Sequence, residues 1–177
     1  MLANDEDGNP RLYRMKKSPA WRAVLDSNVW IDILVFDDPN SRPIRAALEA
    51  GTLEALIDAR CLKELTYVLD YPQFVRFAVD KAKALETVAR LSRLVEIDPL
   101  PDDAPPLPKC KDRDDQKFLE LAHAIKADWL VSKDRALLKL AKRTARDFGF
   151  RIAQPAPFVV SLEAHFEANA ETNAIDV

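Results

Sequence analysis

Four carboxylates stand where one reaction could use them together: Asp26, Glu64, Asp115 and Asp134. Asp26 closes the short apolar run 22–26, and Asp134 follows the apolar run 128–132. Asp115 opens a helical stretch after a proline-rich segment. Glu64 lies on a helix at the border of its apolar stripe, about 100° from the stripe's centre at ~100° per residue. Clustered carboxylates repel, and isolated buried anions are costly; a shared divalent cation relieves both. Oxygen ligands without histidine or thiolate select Mg²⁺ or Mn²⁺ over Zn²⁺. Such an ion serves metal-assisted hydrolysis of a phosphodiester. Each acid also has a plainer role. Asp58 and Asp134 are placed as helix N-caps, Asp114 and Asp115 can serve a helix dipole, and Glu64 alone is an ordinary helix residue. Asp26 has no obvious capping need, although Ser27 and Asn28 could start a turn there with Asp26 in support. The signal is the set, not any one member.

Composition narrows the alternatives. The 177 residues include three glycines, far apart, so no glycine-rich loop can cradle phosphate with backbone N–H groups. Two histidines exclude a histidine-rich metal site and argue against a Ser–His–Asp triad, whereas aspartate, at nineteen, is in surplus. Cys61 and Cys110 have no metal-ligand spacing and suit reduced thiols in a cytoplasmic protein. No run approaches the roughly 20 apolar residues of a membrane span, and residues 1–20 lack the apolar region of a signal peptide. The net charge of −3 conceals an asymmetry: residues 133–151 carry seven bases against two acids. That stretch is either a solvated helix face or a polyanion-binding one.

The elements that must position the acids follow from pattern. Residues 1–20 read as a flexible leader, 21–168 as one domain and 169–177 as a tail. Strands are expected at 22–26, 53–57, 94–97, 128–132 and 150–153. Helices are expected from about 41 to 50, closed by Gly51, then from 59 to about 71, 73–93, 115–125, 135–148 and 157–168. Five prolines make 99–108 an extended loop. Short apolar strands alternating with helices indicate α/β architecture with a parallel sheet covered on both faces. In such folds the ligand site lies at the carboxyl ends of the strands, near a topological switch point.

The segments VLDSNVW (24–30), CLKEL (61–65), DRDDQKFLELA (112–122) and DWLVSKDRALL (128–138), in that order, resemble the PIN-domain family. The likeness is greatest to its branch of bacterial and archaeal toxins from toxin–antitoxin pairs, and it spans about 22–158. It implies a three-layer α/β/α sandwich with a five-stranded parallel sheet, Mg²⁺- or Mn²⁺-dependent cleavage of RNA, and frequent homodimers. Carried over, the catalytic and metal-binding acids are Asp26, Glu64, Asp115 and Asp134, with Asn28 and Ser132 in support. Asp115 is preferred as the third acid because it leads Phe118, Leu119 and Ala122 at the family's spacing; Asp112 and Asp114 crowd it. Ser27 replaces the commoner threonine, Lys133 a usual glycine, and Asp58 a frequent serine.

The leading expectation is therefore a metal-dependent endoribonuclease. Lys133 beside Asp134 could contact phosphate. Arg135, Lys139, Lys142 and Arg146, at helical spacing, would form one face for the RNA backbone; Trp30 and Tyr67 suit core or interface packing ahead of base stacking. Further expectations are an antitoxin partner and a homodimer through the aromatic region 71–77. Three alternatives stay open: a catalytically impaired binding module held by a partner, a structure-specific DNA nuclease, and a haloacid-type hydrolase. The last is disfavoured because Asn28 stands where it would need a second aspartate.

Overall fold

A computed structural model describes residues 20–175; the leader read from sequence lies, but for Ala20, outside the described residues. Five strands, β1 (Trp21–Leu25), β2 (Leu53–Ile57), β3 (Ser92–Leu94), β4 (Trp129–Val131) and β5 (Arg151–Ala153), form one sheet in the order β3-β2-β1-β4-β5. Every pairing is parallel. Ala23, Val24 and Leu25 of β1 and all of β4 are buried, as central strands covered on both faces must be. Helices flank this sheet as the sandwich requires.

The chain builds outward from β1 through β2 to β3, then returns to the other side of β1 for β4 and β5. The direction reverses between β1 and β4, where Leu25 pairs with Val131. Their carboxyl ends therefore open a crevice at a topological switch point.

Helix α1 (Ser27–Ile31) starts directly after β1 and continues as a π-helical turn, Asp32–Phe36. Helix α2 (Arg42–Ala50) ends at Gly51, whose φ of 71° closes it in the left-handed conformation that glycine adopts without strain. Helix α3 (Ala59–Val68) is capped by Asp58, whose carboxylate accepts the Cys61 amide at 2.9 Å, in agreement with the sequence pattern. Helices α4 (Lys81–Leu91), α5 (Gln116–Ala124), α6 (Arg135–Leu138), α7 (Ala141–Asp147) and α8 (Pro155–Ile175) complete the layers.

Several boundaries differ from the sequence reading. The expected helix 73–93 is a 3₁₀ turn, Pro72–Phe77, followed by α4. The third strand falls at Ser92–Leu94 rather than 94–97, because α4 ends at Leu91 and the strand begins at once against Ala55–Ile57 of β2. The expected helix 135–148 is two helices: Leu140 N–H bonds to the Leu137 carbonyl at 2.9 Å, and this tighter i→i−3 turn separates α6 from α7. The last helix runs from Pro155 to Ile175, into the segment set apart as a tail. Trp30, 1% exposed, packs in the core, the preferred of its two expected roles, and so cannot stack on a base. Both cysteines are free and buried.

Candidate metal centre and active site

Each of the four acids reaches the crevice from a different element. Asp26 is the N-cap of α1, so of its two expected roles the support of a turn begun at Ser27 is realised: one carboxylate oxygen accepts the Val29 amide at 3.0 Å. The other accepts the hydroxyl of Ser132, a fully buried residue at the end of β4. Asp26 is itself 4% exposed. Burial pushes its carboxyl above the ordinary range, against the Ser132 and Val29 hydrogen bonds that favour the anion. Asp134 caps α6 through one oxygen, Oδ1, which accepts the Ala136 and Leu137 amides at 2.7 and 3.2 Å. Its own amide donates to the Ser132 hydroxyl at 3.0 Å, so this one side chain fixes both acids across the switch point. Asp134 Oδ2 has no hydrogen-bond partner among the described residues.

Asp112, Asp114 and Asp115 separate clearly in space. The Asp112 carboxylate turns back to cap a short 3₁₀ turn, Arg113–Asp115, accepting the Asp114 amide at 3.0 Å. Asp114 is exposed at the rim. Asp115 is half-buried and lines the crevice, and its carboxylate makes no hydrogen bond or ion pair with any described residue. Burial first, then the carboxylates of Asp134, Asp112, Glu64 and Asp26, push its carboxyl up to about 7. That ordering makes Asp115 the crowded member of the cluster.

Glu64, on α3, accepts the Ser27 hydroxyl at 2.6 Å with Oε1 and an ion pair from Lys117 with Oε2. The Lys117 ammonium also donates to the Asp114 carbonyl. Together these groups line an open cavity of about 950 Å³, with Asn28, Arg60, Lys63 and Arg113 also on its wall. Sequence reasoning missed these cations. A lysine two positions after Asp115 and a basic residue beside Glu64 were legible signals, but the longer basic run at 133–151 was the stronger pattern.

That run is arranged differently from the single face expected of it. Arg135 belongs to α6, Lys142 and Arg146 to α7, and Lys139 to the turn between them. All four are exposed, but none lines the cavity. Lys133 is paired with Asp32 at 2.6 Å, and Arg146 with its neighbour Asp147 at 2.7 Å. Tyr67, 63% exposed, does line the cavity. His123 is half-buried and packs edge-on against Phe148.

The family model for the PIN domain matches residues 22–136, more than half of the chain and a span that holds all four acids. The chain belongs to the PIN-domain family. No curated protein matches it. PIN domains are generally nucleases and typically use divalent metals. Among the described residues, no three His, Cys, Asp or Glu side chains are gathered tightly enough to hold an ion as they stand. The chemistry of the four acids nonetheless fits a hard cation: every donor is a carboxylate oxygen, Asp115 is unpartnered, and one Asp134 oxygen is open. No helix among the described residues is long and apolar enough to cross a membrane.

Proposed function

We propose that this PIN domain is a divalent-metal-dependent endoribonuclease that hydrolyses RNA phosphodiester bonds with Mg²⁺ or Mn²⁺, the toxin of a cytoplasmic toxin–antitoxin pair. One observation carries the reading: four carboxylates from four separate segments face one cavity at the switch point, and the most crowded, Asp115, has no partner among the described residues. Asp26, Asp115 and Asp134 would hold the ion. When bound, it would polarise the phosphodiester and activate water for hydrolysis.

The chain's own residues do the rest. Ser132 holds Asp26 and Asp134 in register across β1 and β4. Asn28, exposed on the wall, is placed to orient substrate or water, and Asp114 stands at the entrance. Lys63 and Arg113 provide phosphate contacts in the cavity, while Arg135, Lys139 and Lys142, with Lys133 and Arg146 beside them, guide the strand outside it. The exposed apolar side chains of Phe36, Tyr71, Val75 and Phe77 suit a homodimer face.

The purified chain is expected to cut single-stranded RNA with Mg²⁺ or Mn²⁺, to stop in EDTA, and to lose activity as Asp26→Asn. Undiminished cleavage by that variant overturns the reading. A second reading is a binding module whose acidic cavity is filled by a partner's basic residue. It is favoured by the ammonium that the cavity already accepts, that of Lys117. Mn²⁺ titration separates the two, since the module would bind no ion.

A further inference from the structure

Lys117 lines the acidic cavity with its charged end between two acceptors, one of them Glu64 of the four-acid set. Its side chain is only 14% exposed, and its ammonium meets Glu64 Oε2 and the Asp114 carbonyl. The other oxygen of Glu64 is taken by the Ser27 hydroxyl at 2.6 Å. Both Glu64 oxygens are thus occupied by protein donors. Asp115 and Asp134 Oδ2, by contrast, have no partner among the described residues. Asp26 also has both oxygens hydrogen-bonded, but by the neutral Val29 amide and Ser132 hydroxyl, so of the four acids only Glu64 is paired with a cation among the described residues.

Resting on the nuclease reading above, we propose that Lys117 stands in the place of a second cation: the site binds one divalent ion through Asp26, Asp115 and Asp134, and Glu64 is the anchor of Lys117 rather than a metal ligand. Charge supports this division. Three aspartates leave one net negative charge after a single divalent ion, and the Glu64–Lys117 pair adds none. A second divalent ion would have to displace an ammonium already desolvated and paired with Glu64, at the cost of leaving that ammonium buried without its partner. An ammonium has three donors, and two are used here, so one remains for a phosphate oxygen of the substrate. In a single-ion phosphodiesterase a fixed positive charge of this kind takes over part of the charge stabilisation a second metal would supply.

The test is Mn²⁺ binding to the full chain, followed by calorimetry and by the loss of free-ion signal in electron paramagnetic resonance, so that the readout does not depend on activity. The wild type is expected to bind one ion. Glu64→Gln is expected to keep that ion within about threefold in Kd, whereas Asp115→Asn weakens it by tenfold or more. Lys117→Met releases Glu64 and is expected to admit a second ion; Lys117→Arg, which keeps the charge, is expected to stay at one. Two ions in the wild type, a tenfold loss in Glu64→Gln, or a single ion in a folded Lys117→Met would each overturn the inference while leaving the nuclease reading intact. No ion at all in the wild type would overturn the nuclease reading and this inference with it. Should Lys117→Met fail to fold, the Glu64→Gln affinity decides alone.

Discussion

Without its metal, the acidic site should weaken the fold that carries it, and Asp115 is where that cost concentrates. The Asp115 carboxylate has no hydrogen bond or ion pair among the described residues to offset burial, and four other carboxylates act on it. Its carboxyl rises from an ordinary 3.8 to about 7. A raised folded-state value means that the folded chain holds this proton more tightly than the unfolded chain does. The associated stability is complete below the unfolded value near 3.8 and is lost as pH climbs through about 7. About three pH units at ~1.4 kcal/mol each set a ceiling of roughly 4 kcal/mol. The carboxyl keeps part of its solvent contact, so screening reduces the working figure to about 2 kcal/mol. Asp115→Asn removes the charge at nearly constant volume. In EDTA at pH 8 the variant should gain about 2 kcal/mol, or roughly 4–8 °C in Tm for a domain of this size. At pH 4 the gain should vanish, because wild-type Asp115 is then protonated. Circular-dichroism melts at the two pH values measure both. Saturating Mn²⁺ should reverse the order at pH 8, since only the wild type gains the full binding energy. A variant no more stable than wild type at pH 8 in EDTA, or a gain of equal size at pH 4, refutes the idea that charge crowding governs this residue.

Other expectations follow from single side chains. Ser132→Ala strips a hydrogen bond from buried Asp26 and another from the Asp134 amide; urea unfolding should show a loss of about 1–3 kcal/mol, whereas Ser132→Thr, which keeps the hydroxyl, should lose under about 1 kcal/mol. Tyr67→Ala removes an exposed ring on the cavity wall, so stability should move by less than about 0.5 kcal/mol. Single-stranded RNA binding should weaken by about 1–3 kcal/mol if the ring stacks a base; unchanged affinity removes Tyr67 from the substrate path. Replacing Arg135, Lys139 and Lys142 by Gln should flatten the dependence of log affinity on log salt by about 0.7 for each phosphate of single-stranded RNA that is no longer neutralised. An unchanged slope places the RNA backbone elsewhere, along Lys63 and Arg113.

What could be read in the sequence was what local pattern determines. The buried runs of β1, β2 and β4 were visible because a parallel strand covered on both faces shows as a continuous apolar stretch. Asp58 and Asp134 were visible as caps because a carboxylate before a helical stripe has a local use. β3 was misplaced because only three residues pair at the sheet's edge and two of them are exposed, so no apolar run marks them. Nothing in 135–147 breaks a helix by composition; the tight turn between α6 and α7 is a choice of hydrogen bonds. Asp26 was identified as a strand-end acid whose capping role was not obvious, since α1 is too short to show periodicity.

The site divides along the same line. Its acids were legible one by one because each marks an element's end or a stripe's border, and both are local features. What each acid does in company is not local. Glu64 and Lys117 are 53 residues apart in sequence, and only the packing of α3 beside α5 brings them together. From spacing alone Glu64 had the same standing as Asp115; in three dimensions one is neutralised by an ammonium and the other is bare. A motif of four acids therefore underdetermines the number of ions they hold, because the motif records the negative charges and leaves out the lysine that answers one of them.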